Sequence, residues 1–267
     1  MARPSRKGST PDRVAQRYRE EGYGAQSLRP LHSLVLLVPL ILIYEIGSVR
    51  YLADPSTGIT ETIGAHSILL GLFTDLGPLG RFIPATLLVV VLIVWHTFRR
   101  DSWRPRLGVV FAMMLESAVW TLPLLVLSLI LPMSPNALAA TGALPGGVPI
   151  ADLSWQARVA LSAGAGLYEE LLFRVVVITL VHLIVVDVLR QASGVGFVLG
   201  AVISAISFAL YHNIDMPTGG VHFGLLSFYA LAGLFFSGLF VWRGFGIAAL
   251  CHTLYDVIVL VVLPRGD

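Results

Sequence analysis

Charge is what this sequence has least of. Only 13% of its 267 residues are Asp, Glu, Lys or Arg, against 56% hydrophobic, and the mean hydropathy is +0.81. About a quarter of the residues of a soluble domain are charged, so an ordinary soluble fold is excluded and a multi-pass membrane protein is expected. The basic residues are bunched at the ends of apolar runs, which makes nucleic acid an unsuitable partner despite the formal charge of +2. Cysteine is almost absent too. Cys251 stands alone inside an apolar run, which rules out an intramolecular disulfide and reads as a small packing residue. No cleavable signal peptide is expected, because the first 31 residues are polar and arginine-rich and the following apolar run has no small-residue cleavage site.

Long apolar runs are what the sequence does contain. At about 20 residues per crossing, spans are expected near 32–53, 82–98, 107–132, 158–189, 195–212, 221–242 and 244–263. A weaker segment at 62–80 reads as an eighth span, a re-entrant piece or an interfacial helix. The expected fold is an all-α, polytopic membrane helical bundle of about 7–8 transmembrane helices. Residues 1–31, with Arg3, Arg6, Lys7, Arg13, Arg17, Arg19 and Arg29, read as a basic cytoplasmic tail, 32–152 as N-terminal transmembrane helices, and 153–267 as a C-terminal helical core. The boundary falls in the breaker-rich stretch 134–152. Arg99, Arg100, Arg104 and Arg106 mark a cytoplasmic connection, and Arg190 and Arg243 agree with it if seven spans are counted. That count puts the amino terminus inside and Glu169 nearer the other end of its helix.

Against this background, three charges in six residues stand out: Glu169, Glu170 and Arg174 within Tyr168-Glu169-Glu170-Leu171-Leu172-Phe173-Arg174. A charge at bilayer depth costs about 2.5–3.5 kcal/mol on insertion scales, so such groups are paired and used. On a helix, Glu170 and Arg174 share a face at i and i+4, while Glu169 projects about 100° away. The division expected is a Glu170–Arg174 pair that holds structure and a Glu169 aimed elsewhere. A second polar point is His212, at the end of Phe208-Ala209-Leu210-Tyr211-His212; a third is His252 with Asp256, again i and i+4, in an apolar run. Taken singly, each has a plainer reading: neutralisation of Arg174, a helix cap for His212, or a structural His252–Asp256 pair.

Together they supply what is needed to activate a water. In one reading Glu169, His212 and His252 bind a divalent ion such as zinc whose open position holds the water. In the other no metal is needed: Glu169 is the general base, His212 assists, and His252 with Asp256 orient or stabilise the oxyanion. Both end in peptide-bond hydrolysis. The chain lacks the His-Glu-x-x-His of zinc-dependent site-2 proteases. The Gly-x-Gly-Asp partner that would make Tyr255-Asp256 presenilin-like is missing, and Ser237-Gly238 lacks the Gly-x-Ser-Gly setting of a rhomboid nucleophile.

The ordered set Glu169-Glu170-x-x-x-Arg174, Phe208-x-x-x-His212 and His252-x-x-x-Asp256 resembles the CPBP family, which comprises type II CAAX prenyl endopeptidases and Abi-like bacteriocin-processing proteins. The resemblance covers about residues 155–263. It implies a membrane endopeptidase with Glu169, His212 and His252 as catalytic or metal-binding residues and Glu170 and Arg174 in support. Asp256 fits a position that is Asn or Asp in that family. The partners implied are a peptide or protein substrate and the bilayer. Two other classes stay open: a non-catalytic scaffold or immunity protein of the same fold, and a proton or cation relay built from the same groups. Glu45, Arg50 and Glu116 are expected in structural pairs or at the cavity wall, with Arg174 as one candidate partner. His182 and Asp187 are expected at the interface, and Asp215 and His222 in a lid or entry loop.

Overall fold

An apolar segment in a bilayer has to satisfy its backbone internally, which leaves helix as the solution for runs like these. The computed structural model describes residues 22–52, 63–71, 80, 82–131, 150–216 and 219–263. Helices α1 (Tyr23–Ser27), α2 (Pro30–Tyr51), α3 (Gly64–Gly71), α4 (Ile83–Arg99) and α5 (Leu107–Ile130) come first. They are followed by α6 (Trp155–Val188), α7 (Ser193–Tyr211), α8 (Phe223–Arg243) and α9 (Phe245–Val262). Among the described residues there is no strand, only an isolated bridge between Asp215 and Val221. Six helices are long and apolar enough to cross a membrane (α2, α5, α6, α7, α8 and α9), and α4 is a shorter apolar helix. Within the expected 62–80 segment the described helix is α3, 8 residues long, too short to cross. Most of the basic tail and residues 134–149 lie outside the described residues.

Local sequence sets the ends. Ser154 opens α6 by accepting a hydrogen bond from the Ala157 N–H at 3.3 Å, as an N-cap serine does. His222 opens α8 in the same way, its Nδ1 accepting from the Leu225 N–H at 3.3 Å, so the expected lid residue is a helix cap. Gly244, at φ 84°, makes the turn between α8 and α9, a left-handed conformation that suits glycine.

The chain runs up and down between two ends. At one end the starts of α2, α5 and α9 meet the ends of α4 and α8. There Arg29 lies 4.0 Å and Arg99 3.0 Å from Asp101, and the Arg106 N–H donates to His32 Nε2 at 3.1 Å. Arg243 closes the same end, donating to Ser27 Oγ at 2.9 Å and to Glu116 at 2.5 and 2.8 Å, while the Tyr23 hydroxyl donates to Glu116. Burial raises the Tyr23 phenol to about 12, with Glu116 adding to the shift. Glu116 is thus Arg243's partner and not Arg174's. Glu45 is also elsewhere, accepting from the Tyr168 hydroxyl at 2.8 Å.

The core mixes both halves of the chain. α9 rests on α5, where Ser117 Oγ and Thr121 Oγ1 contact the Ile247 and Cys251 carbonyls at 3.3 and 3.5 Å. α2 rests on α6, where a Cβ on Gly164 would lie 2.3 Å from the Tyr44 ring. Cys251 is a fully buried packing residue.

Candidate active site

Helix α6 carries the carboxylate pair, and its backbone is irregular at that place. The helix is α-helical over Trp155–Gly164, then widens into π-type turns over Ala165–Glu169 and Leu171–Val177. Such widened turns inside a helix recur at functional sites. They coincide with the closest approach of α6 to α9: a Cβ on Gly166 would stand 2.1 Å from Thr253 Oγ1 and 2.5 Å from the Ala249 carbonyl. Only the missing side chain at Gly166 lets the two backbones come this near. His252, the next residue along α9, is thereby brought against the carboxylates.

Glu170 and Arg174 form the expected i,i+4 pair, with Oε2 3.1 Å from Nε and no exposed side-chain surface on either. The guanidinium lies 4.4 Å from the Phe208 ring centre and 5.3 Å from that of Phe236, and its Nη2 reaches the Gly233 carbonyl at 3.4 Å. Cation–π contact of this kind favours a desolvated arginine. The second oxygen of Glu170 lies 2.9 Å from His252 Nδ1. A carboxylate can only accept, so His252 donates from Nδ1 and its Nε2 faces the cavity.

Glu169 is turned away from this pair, as adjacent positions on a helix require. Its Oε2 lies 3.7 Å from His212 Nε2 and 3.8 Å from His252 Nε2. Asp256 Oδ2 is 3.6 Å from the same His252 nitrogen. His212 stands just past the last residue of α7, with Nδ1 2.7 Å from the Phe208 carbonyl. That carbonyl cannot donate, so Nδ1 carries a proton, and in the neutral imidazole the bare Nε2 points at Glu169. The structure therefore brings Glu169, Glu170, Arg174, His212, His252 and Asp256 into one cluster. His182 is outside it, packed on the Phe197 ring at 4.3 Å.

Two aromatic residues that the motifs did not point to complete the site. Tyr229 stacks on His212, with ring centres 3.9 Å apart and planes at 19°, and Phe236 stacks on His252 at 4.7 Å and 22°. Both lie on α8, seven residues apart on one face, with small residues Ala232 and Gly233 between them. That spacing is the one signal in the sequence that points to them.

Ligands at about 2.0–2.2 Å around a tetrahedral ion stand about 3.3–3.6 Å from one another. The Glu169 oxygen is farther than that from both imidazole nitrogens. Among the described residues no group of three or more His, Cys, Asp or Glu side chains is arranged to hold an ion. In this arrangement the Glu169 oxygen and the two imidazole nitrogens are spaced slightly more widely than the ligands of a bound ion. Polar atoms more than about 3.5 Å apart are instead at the spacing a bridging water takes. The atoms border a cavity of about 310 Å³ whose walls include Leu161, Phe228, Tyr255 and Leu260.

Comparison with known families draws on the same part of the chain. Residues 152–258 match the model of the Rce1-like family, described as type II CAAX prenyl endopeptidase Rce1-like. This segment is thus similar to Rce1-like domains. The match agrees with the resemblance carried by the three motifs, and it spans all six residues of the cluster. It supports a membrane protease, and six apolar helices make this an integral multi-pass membrane protein. The chain has no significant match among curated proteins or among solved structures.

Proposed function

We propose that this protein is an intramembrane endopeptidase in which Glu169 and His212 activate a water without a metal. One observation carries the reading: the Glu169 carboxylate and the bare His212 Nε2 are two proton acceptors facing one point on the wall of a cavity. A water there donates to both. As its oxygen attacks the peptide carbonyl, its proton passes to Glu169, and the tetrahedral oxyanion forms beside His252. His252, oriented through Nδ1 by Glu170 and protonated on Nε2, donates a hydrogen bond to that oxyanion, with Asp256 balancing its charge. Glu169 then returns the proton to the departing amine, which completes hydrolysis with no net change in the protein. Tyr229 and Phe236 fix the two imidazole planes, so that neither ring has to reorient during the step.

The decisive substitution is Glu169→Gln, which keeps shape and removes the base. Purified protein should cleave a library of internally quenched apolar peptides, and Glu169→Gln should lower the rate by at least 10²-fold, the lower bound of a general base's contribution. Unchanged activity would refute the assignment, and unchanged phenotype of Glu169→Gln in cells would favour the scaffold or immunity reading. A chelator should leave activity intact, with no stoichiometric metal in the purified protein; chelator-sensitive activity restored by zinc would move the same residues to the metal-dependent form.

A further inference from the structure

The cavity has a direction. Its mouth is lined by residues from one end of the bundle: Ile63 and Gly64 at the start of α3, Ile150 before α6, Asn213 after α7 and Leu260 at the end of α9. Its floor is Glu169, Phe208, Phe236 and His252. Among the described residues none from the other end lines it. That other end is held shut by Arg243, Glu116, Ser27 and Tyr23.

The two ends differ sharply in basic residues. The end away from the cavity mouth carries Arg29, Arg99, Arg100, Arg104, Arg106, Arg190 and Arg243, and the six basic residues before Tyr23 adjoin it in sequence. Among the described residues the end with the mouth has Arg50 and Arg158, Arg81 and Arg265 lying outside the described residues, and the sequence of the connections 131–154 and 212–222 has no lysine or arginine at all. Lysine and arginine in short connections stay in the cytoplasm. The arginine-rich end is thus the cytoplasmic one, and the mouth lies on the opposite side. The site's depth agrees: His212 follows the last residue of α7, and Asp256 is six residues, about 9 Å of helix rise, from the end of α9.

We propose that the active-site cavity opens on the extracytoplasmic face, so that the substrates are exported segments of membrane-tethered chains and not chains held in the cytoplasm. The substrate class rests on the hydrolytic reading above; the direction of opening does not. At about 310 Å³ the cavity is at the low end of ligand pockets, and a helix about 10–12 Å across does not enter it. The segment is therefore taken in extended form, a few residues at a time, with apolar side chains against the walls and the scissile bond at the Glu169–His212 floor.

The test uses the full chain with Cys251→Ala and one added cysteine, treated with a membrane-impermeant maleimide in intact cells. Met216→Cys, in the connection after α7, and His212→Cys, in the cavity, should label from outside at least tenfold faster than Ser193→Cys at the start of α7. Ser193→Cys should reach equal labelling only after permeabilisation. Any other pattern among thiols that all react in detergent overturns the proposal. In a second arm, quenched peptides that wild-type protein cleaves in detergent are added outside sealed vesicles. Cleavage is expected with right-side-out vesicles; cleavage only with inverted vesicles overturns the proposed substrate class. Labelling needs no activity, so absence of cleavage even in detergent would sink the hydrolytic reading while the labelling still decides the direction of opening.

Discussion

Arg174 shows how a charge is made tolerable at the centre of an apolar bundle. It is fully buried, and its partners are the Glu170 carboxylate, the rings of Phe173, Phe208 and Phe236, and one backbone carbonyl. Removing one member of such a pair leaves the other charge buried and uncompensated, at a cost of about 3–5 kcal/mol, whereas replacing both with apolar groups is often close to neutral. Arg174→Leu is therefore expected to lower the unfolding midpoint in detergent markedly. The double variant Glu170→Gln/Arg174→Leu should recover a large part of that loss. Activity should separate from stability in this pair, because Glu170 also fixes His252: the double variant should fold yet stay impaired in turnover. If the double variant loses as much stability as the sum of the single ones, the two residues are not coupled as their 3.1 Å contact implies.

At the scale of elements, the deciding feature is the crossing of α6 and α9. The i,i+4 relations of Glu170 with Arg174 and of His252 with Asp256 could be read from the sequence because helix geometry alone determines them. The same is true of the apolar runs. The crossing could not be read in this way. It depends on a glycine whose neighbours, Thr253 and Ala249, lie more than eighty positions along the chain, and on π-type turns that no periodicity announces. The roles of Tyr229 and Phe236 were obscure for a related reason, since an aromatic residue in an apolar helix looks like core until its stacking partner is known. Gly166→Ala should push α6 and α9 apart. A loss of about 1–3 kcal/mol is typical for overpacking, and catalysis should fall further than stability because His252 moves relative to Glu169. Gly238→Ala on α8, where an added Cβ meets nothing within 4 Å, is the matched control and should leave both unchanged. Thermal melts and peptide cleavage on the two variants check this; equal behaviour would mean that the close approach does not position the site.

The whole molecule is not the sum of an N-terminal and a C-terminal half. All six residues of the polar cluster come from 152–258, the segment that matches the Rce1-like model. Yet α9, which supplies His252 and Asp256, has α5 along its back through Ser117 and Thr121, and α6 has α2 along its side through Tyr44. The Tyr168 hydroxyl, one residue before Glu169, ends on Glu45 of α2. Composition and motifs picked out the candidate residues but gave no sign that the first half of the chain packs around them, because an apolar helix looks the same whether it faces lipid or protein. A chain beginning at residue 150 would keep the whole polar cluster and lose these contacts, exposing the buried Ser117- and Tyr44-facing surfaces of α9 and α6. It should therefore accumulate poorly and show no cleavage. Co-expression of residues 1–140 and 141–267 as separate chains should restore both, because the break falls in the connection between α5 and α6 and the interface is made by packed helices on either side of it. Cleavage by the truncated chain alone would show that residues 150–267 form a self-sufficient enzyme and that the wall supplied by α2 and α5 is dispensable.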